Sequence, residues 1–248
     1  MNSAKSLIIA SILLLSTPFA VSAEEAVGDG EKAKIEQVVR DYILNNPEII
    51  AEAIVELQRR EKVAEAQNQK AALSAISAEL TSNPNDPVMG NPNGDVTVVE
   101  FFDYRCGFCK RVFDDVQMLM KEDPNVRYVL KEFPILGAES IYASRVAMAV
   151  WLHQKDKYGA LHIALMNSKG ALDQDKVLSL AKEAGVDTGA LTAQMEDPTI
   201  DATFAATRAQ AGALGLSGTP AFIVGENIAP GAIPLAGLKQ LVAAARNK

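Results

Sequence analysis

Apolar residues near the N-terminus follow a helical period, with charged residues between them. One set recurs at intervals of three and four and predicts an amphipathic helix; its members are Ile35, Val38, Val39, Tyr42 and Ile43. Asn46-Pro47 is typical of a helix start, with proline at the first helical position. A second apolar stripe comes next, made of Ile49, Ile50, Ala53, Ile54 and Leu57, and this helix is predicted to continue through residues 58–80.

These helices form an N-terminal helical segment over residues 24–80. Two such helices cannot enclose a core by themselves, so their apolar faces must pack on the rest of the chain or on another copy of it. The polar stretch 58–70 separates the stripe from the later part of the chain, which favours self-association. We therefore expect a homo-oligomer held together through residues 31–80, with packing inside one chain as the alternative.

Residues 81–95 contain three prolines and two glycines. This composition is typical of a linker. It predicts a boundary between the N-terminal segment and a second domain over residues 96–248.

The second domain alternates strand-like and helical patterns. Strands are predicted at 96–102, 126–133 and 221–224, and the first of them, apolar on both alternating faces, is expected to be a central strand covered on both sides. Helices are predicted from the cysteines onward and at 235–246, and a long helical stretch over 140–214 is expected to break at Gly159, Gly170, Gly185 and Pro198. This order predicts an α/β fold with a sheet that is covered on both faces.

The first 23 residues have the three parts of a secretory signal peptide. Lys5 precedes a short apolar stretch over 7–15, and Val21-Ser22-Ala23 supplies small residues for cleavage after Ala23. The apolar stretch is about half of the ~20 residues that a membrane span requires. We expect a soluble periplasmic protein whose thiols meet oxidising conditions; an N-terminal membrane anchor is the alternative.

The excess of acidic residues limits the classes of partner that the chain is expected to bind. Twenty-four Lys and Arg stand against 31 Asp and Glu, a formal net charge of −7. This charge argues against nucleic acid as a partner.

The two cysteines of the chain, Cys106 and Cys109, are three residues apart. At the start of a helix this spacing puts them about one turn from each other, so they can close a disulfide. Cys106 lies in the first turn, where unpaired N–H groups and the helix dipole stabilise a thiolate. We expect Cys106 to attack the substrate and Cys109 to resolve the mixed disulfide.

Other uses of a cysteine pair fit the sequence less well. A structural disulfide over so short a loop would add little stability. A zinc site needs four ligands, and the two histidines, His153 and His162, lie nine apart in a helical region, where packing or surface roles are expected. Haem attachment needs a histidine where Lys110 stands. Redox chemistry is therefore favoured, and neither a metal nor a cofactor is expected.

Two motifs resemble a known family. Residues 101–109, Phe-Phe-Asp-Tyr-Arg-Cys-Gly-Phe-Cys, and residues 218–222, Gly-Thr-Pro-Ala-Phe, are similar to the DsbA-like periplasmic thiol:disulfide oxidoreductases. Residues 131–134 also fit that pattern, and the N-terminal helices resemble those of the ScsC branch. The resemblance implies a thioredoxin fold with a helical insertion, preceded by an N-terminal helical segment.

The resemblance also implies further site residues. Pro220 should have a cis peptide bond beside the cysteines, with Thr219 presenting backbone groups to a client, next to Gly107 and Phe108. Glu100 shares its strand face with Val98 and Phe102, so its carboxyl group should be buried, as the equivalent acid is in this family. It could exchange a proton with Cys109. Lys131 is a candidate partner for Glu100.

The dipeptide Gly107-Phe108 supplies no charged or histidine donor to Cys106. We therefore expect a redox potential between those of DsbA and thioredoxin, suited to forming or isomerising disulfides in exported clients. Self-association would place several sites around one client, and a membrane partner would recycle the pair. Two other hypotheses are a periplasmic protein that handles copper by binding Cu(I) through the thiols, and an interaction module that does not need them.

Overall fold

The computed structural model describes residues 28–247, and the predicted signal peptide and its cleavage site lie outside them. The chain divides into two compact units, Met1–Arg60 and Glu61–Lys248. No helix within 28–247 combines the length and the hydrophobicity that a membrane span requires.

The described part of the first unit contains α1, Asp29–Asn45, and the start of α2, Glu48–Ser82. Both helices were predicted, and α2 continues through 58–80 as expected. The apolar stripe of α1 lies on the surface, since Val38 is 67% exposed and Tyr42 is 59% exposed. The stripe therefore has no apolar cover within the described part of its own unit.

The second unit contains a five-stranded sheet with the order β1-β3-β2-β4-β5. Its strands are β1 Val88–Gly90, β2 Val96–Phe102, β3 Val126–Glu132, β4 Ala221–Val224 and β5 Asn227–Pro230. Strands β2 and β3 are parallel, and the other neighbours are antiparallel. The three strands predicted from the sequence are thus the three central strands of the sheet, and the predicted thioredoxin fold is confirmed.

Further helices complete the described part of the second unit. They are α3 Gly107–Glu122, α4 Ala138–His153, α5 Lys155–Asn167, α6 Gln174–Glu183, α7 Thr188–Gln194, α8 Pro198–Ala213 and α9 Leu235–Arg246. The predicted helical stretch breaks near Gly170 and Gly185, and α8 begins at Pro198 as expected. The predicted break at Gly159 is wrong: Gly159 lies inside α5, and the chain turns at Gln154 instead, where ψ is 48°.

Side chains alternate across the central strands and build a core on each face of the sheet. Val98, Phe102 and Phe222 pack with α3, α4 and α9 on one face. Val99, Phe101 and Ile223 pack on the other face with Leu73 and Leu80 of α2 and with Leu214 and Leu216, which come after α8. Part of the predicted N-terminal segment, the portion of α2 from residue 61 onward, therefore belongs to the second unit.

The structure differs from the linker expected over 81–95. Residues 81 and 82 end α2, and β1 pairs with β3. Glycine is needed at position 90 because the backbone there lies close to β3. Gly90 has φ +67°, and a Cβ atom there would lie 2.6 Å from the Val126 carbonyl oxygen. Asp86, in the same segment, is 2% exposed and forms an ion pair with Lys131. This segment therefore belongs to the folded second unit and contributes the strand β1 to its sheet.

Candidate active site

The cysteine pair lies where β2 passes into α3. Cys106 is the N-cap residue of α3, with φ −70° and ψ 112°, and its sulfur accepts a hydrogen bond from the Cys109 N–H at 3.4 Å. The Cys106 N–H donates to the Asp103 carbonyl oxygen at 3.0 Å, which closes the turn between strand and helix. The end of a central strand thus positions Cys106 at the helix N-terminus, as the sequence predicts.

The environment of Cys106 favours its thiolate. A hydrogen bond from the Cys109 side chain lowers the pKa of Cys106 to about 5, and the backbone N–H groups of Phe108 and Cys109 act in the same direction. Burial raises the pKa of Cys106, but its effect is smaller than that of the hydrogen bonds. Cys106 is therefore ionised at neutral pH and able to act as a nucleophile.

Cys109 has the opposite environment. Its side chain is fully buried, and burial raises the pKa of its thiol far above the usual range. The hydrogen bond that it donates to Cys106 and the negative charge of Glu100 act in the same direction. Cys109 remains a protonated thiol and needs a base before it can attack.

Glu100 lies on β2 and is 4% exposed, as predicted from its strand face. Burial raises the pKa of its carboxyl group to about 7, although the Tyr128 hydroxyl donates a hydrogen bond to Oε2 at 2.7 Å and opposes this rise. A carboxyl group with a pKa near 7 can both accept and release a proton under physiological conditions.

The expected pairing of Lys131 with Glu100 is wrong. In the β2–β3 register, Glu100 lies opposite Leu130 and Phe101 lies opposite Lys131, so the two side chains point to opposite faces of the sheet. Lys131 instead donates to Asp86 and to the Glu79 carbonyl oxygen on the other face. Tyr128, which shares the face of Glu100, is its hydrogen-bond partner.

The loop before β4 lies directly beside Cys106. The Thr219–Pro220 peptide bond is cis, as the resemblance implied. The Cys106 sulfur lies 3.2 Å from the Thr219 carbonyl oxygen, to which it can donate a hydrogen bond only in its protonated form; this contact joins residues that are 113 positions apart in the chain. Pro220 is buried, while Thr219 is partly exposed and can present its backbone to a bound chain.

The two residues between the cysteines form the outer edge of the site. The Phe108 ring is 55% exposed, and the Arg111 guanidinium lies 4.8 Å above its centre. Apart from its chain neighbours and the backbone of its own helix, no described residue has a heavy atom within 4 Å of where a Gly107 Cβ atom would be. The site therefore has an open apolar face beside the reactive sulfur.

A buried polar network behind the site was missed by the sequence reasoning. The Tyr104 hydroxyl lies 3.1 Å from Glu132 Oε1 and 2.9 Å from His162 Nδ1, and Ser144 donates to Glu132 Oε2 at 2.7 Å. Burial raises the pKa of Glu132 to about 8 and lowers the pKa of His162 to about 3. Glu132 is part of the 131–134 motif, and that is the signal that could have drawn attention to it.

Asp103 fixes the turn that carries Cys106. Its buried carboxylate accepts hydrogen bonds from the backbone N–H groups of Arg105, Ile135 and Leu136 and from the Ser140 hydroxyl. This one side chain ties the turn to the loop after β3. The position of Cys106 therefore depends on two strands and not only on its own helix.

Neither histidine belongs to a metal site in the described part of the chain. His162 contacts Tyr104 in the buried network, and His153 pairs with Asp197 at 2.9 Å. Within residues 28–247, no group of three or more His, Cys, Asp or Glu side chains could hold a metal ion.

Two known families match this sequence. Residues 97–243 match the DSBA-like thioredoxin domain, and residues 31–64 match the copper resistance protein ScsC N-terminal domain. The first match covers more than half of the chain, including the cysteine pair and the cis-proline loop.

Solved structures of similar proteins show the same fold. A thioredoxin-like oxidoreductase from Silicibacter pomeroyi DSS-3 is 46% identical, with a TM-score of 0.67 over 69% of this chain and 98% of that chain. A linker-deletion mutant of ScsC from Proteus mirabilis is 26% identical, with a TM-score of 0.70 over 91% of this chain and 99% of that chain.

A curated relative is more distant. Disulfide bond formation protein D from Bacillus subtilis is 28% identical over 107 residues, which are 42% of this chain and 48% of that protein. The chain thus spans about half the length of this relative, and it spans 21% of the length of a second curated relative.

Proposed function

The chain belongs to the family of DSBA-like thioredoxin domains, and from this premise we propose that it is a periplasmic thiol:disulfide oxidoreductase that forms or isomerises disulfides in exported proteins. The observation that carries the proposal is the asymmetry of the cysteine pair. Cys106 is stabilised as a thiolate next to the cis-proline loop, whereas Cys109 is a buried, protonated thiol behind it. A nucleophile and a resolving thiol need these two environments.

In isomerisation or reduction, the Cys106 thiolate attacks a client disulfide. A bond forms between the Cys106 sulfur and one client sulfur, and the other client sulfur leaves as a thiolate. In isomerisation, a second client thiolate then attacks the mixed disulfide and releases Cys106. In reduction, Cys109 passes its proton to Glu100 and attacks Cys106, so the client leaves reduced and the enzyme disulfide forms.

Oxidation of a client takes the opposite course. A client thiolate attacks Cys106 of the enzyme disulfide, and the Cys109 sulfur leaves and takes a proton from Glu100. A second client thiolate then displaces the Cys106 thiolate and forms the client disulfide. The low pKa of Cys106 makes it the better leaving group in this step.

We assign client contact to four residues around the sulfur. Thr219 and Pro220 offer the backbone of the cis-proline loop, and Gly107 and Phe108 form the open edge on the opposite side. The exposed Phe108 ring would cover apolar side chains of an incompletely folded client.

The dipeptide between the cysteines supports an intermediate redox potential. Gly107 and Phe108 add no charged donor to the Cys106 sulfur, so the thiolate depends on Cys109 and on backbone N–H groups. Self-association through residues 31–80 would favour isomerisation by placing several sites around one client. We also propose that the signal peptide directs export of the protein and that a membrane partner recycles its cysteine pair.

A side-by-side assay on one multi-disulfide client tests this function. We expect the oxidised enzyme to introduce disulfides into the reduced client and the reduced enzyme to reactivate the scrambled client. Cys106→Ser should abolish both activities, while Cys109→Ser should accumulate a mixed disulfide with the client. Stoichiometric Cu(I) binding without turnover of either client would contradict the proposal and favour the copper hypothesis.

A further inference from the structure

A groove runs along the cis-proline loop. It has a volume of about 450 Å³. One wall is the loop itself, and the other is α2; its lining includes Glu65, Gln69, Gly218, Thr219 and Pro230. Since the Thr219 carbonyl oxygen contacts the Cys106 sulfur, the groove leads directly to the reactive atom.

The α2 wall is held firmly in place. Gln69 Nε2 donates to the Leu214 carbonyl oxygen at 2.8 Å, just before the loop begins. One turn further along α2, Leu73 is 3% exposed and belongs to the apolar core on that face of the sheet. The groove therefore exists before any client binds.

The lining suits an extended polypeptide. Three glycines and two prolines line it, so few side-chain atoms separate a bound chain from the loop backbone. An extended client segment can form hydrogen bonds with exposed main-chain groups of the loop, such as those of Gly218.

The groove carries a negative charge on its α2 wall. Glu65 is the one charged residue that lines it, and within residues 28–247 its carboxylate has no ion-pair partner. Glu65 lies one turn before Gln69, on the same face of α2. A basic side chain entering the groove would thus meet an unpaired carboxylate.

We propose that Glu65, on the α2 wall of this groove, selects a Lys or Arg side chain in the client segment next to the reacting cysteine. This inference rests on the proposed function. It assigns to α2 a part in client recognition, in addition to its part in the core.

The test uses matched disulfide-linked peptides that differ only by Arg or Glu at each position flanking the cysteine. The rate of mixed-disulfide formation with full-length Cys109→Ser protein is measured for each peptide. At low salt we expect one flanking position to favour Arg by about threefold, with the preference falling as salt screens the charges. On this background Glu65→Gln should remove the preference, and Glu65→Lys should reverse it.

Glu52→Gln, an exposed substitution on α2 outside the groove, should leave the preference intact. Reaction with 2-hydroxyethyl disulfide, which is small and uncharged, should be equally fast in the Cys109→Ser protein and in its Glu52→Gln derivative. Equal rates for Arg and Glu peptides at every position, or a preference that survives Glu65→Gln, would overturn the inference and leave the proposed function standing. No reaction with any peptide would instead refute the proposed function.

Discussion

Cys106 and Cys109 differ in protonation because of their surroundings, although only one helical turn separates them. Cys106 receives hydrogen bonds at the helix N-terminus, and Cys109 is sealed behind it against β2. The two pKa values are linked, because the hydrogen bond from Cys109 lowers the pKa of Cys106 and raises the pKa of Cys109 itself. The pair therefore acts as a unit, and a change in one sulfur is measurable at the other.

The first prediction concerns this coupling. In the wild-type protein the thiolate absorbance of Cys106 should titrate with a midpoint near pH 5. Cys109→Ala removes the largest cause of the low pKa, so the midpoint should move to higher pH. Ultraviolet absorbance across an acid titration measures both, and Cys106→Ser serves as the blank. A midpoint that does not move in Cys109→Ala would contradict the assigned coupling.

The second prediction concerns Tyr128, a positioning residue for Glu100. Its hydroxyl stabilises the ionised carboxylate, so Tyr128→Phe should raise the pKa of Glu100 above the present value of about 7. In the proposed mechanism the ionised form of Glu100 accepts the Cys109 proton, so resolution should slow at pH 7 and recover at higher pH. The midpoint of the pH profile should rise by about one pH unit.

Rapid-mixing measurements of client release from the Cys106 mixed disulfide, from about pH 5 to about pH 9, test this. Tyr42→Phe is the matched control, because Tyr42 lies exposed on α1. A uniform loss of rate with an unchanged midpoint would show that Tyr128 acts only in packing.

At the scale of the elements, strand β3 contributes functional side chains to both faces of the sheet. Tyr128 and Leu130 point toward α3 and the cysteines, whereas Lys131 points toward α2. On that second face Lys131 and Arg127 donate to carbonyl oxygens at the end of α2, those of Glu79 and Thr81. One strand therefore supplies the hydrogen-bond partner of Glu100 on one face of the sheet and anchors the end of α2 on the other.

The third prediction concerns Glu132, at the end of β3. Its folded-state pKa of about 8 lies above the ordinary carboxyl value, so the folded protein holds a proton that the unfolded chain releases. Stability should therefore fall as pH rises from about 4.5 to about 8. Glu132→Gln imitates the protonated form and should make this decline shallower.

Urea unfolding midpoints at several pH values measure the effect. Glu183→Gln, on the exposed surface of α6, is the control and should keep the wild-type slope. Glu100 contributes in the same direction, so the decline should weaken without disappearing. An unchanged slope in Glu132→Gln would mean that Glu132 is ionised in the folded protein.

The elements differed in how far the sequence predicted them. The sequence predicted β2, β3 and β4 close to their observed bounds, and the cysteine motif predicted the start of α3. Strands β1 and β5, with three and four residues, lie among prolines and glycines, whose local preference resembles a loop. Likewise, the partners of Lys131 and Glu132 depend on strand register and on helices distant in sequence, which residue spacing alone does not determine.

At the scale of the whole molecule, α2 has two kinds of surface along its length. Its early residues, including Ile54 and Leu57, keep their apolar side chains exposed, while Leu73 and Leu80 are buried in the second unit. The segment proposed for self-association therefore has to be separated from the segment that completes the core. That boundary lies near residue 60, where the two compact units meet in sequence.

The fourth prediction uses this boundary. Full-length protein should sediment as an oligomer, and a variant lacking residues 24–60 should be a folded monomer with near-normal oxidation of a reduced client. Its reactivation of a scrambled client should be weaker, because a monomer offers one active site to each client. Val38→Asp, on the exposed stripe of α1, should have the same two effects without any deletion.

Removal of residues 24–80 should behave differently. It takes Leu73 and Leu80 out of the core, and each contributes about 1.5–3 kcal/mol of burial, so this variant should unfold at clearly lower urea than the shorter deletion. Analytical ultracentrifugation and urea unfolding of the three proteins separate the two roles of the helix. A monomeric full-length protein would refute self-association, and equal stability of the two deletions would refute the role of α2 in the core.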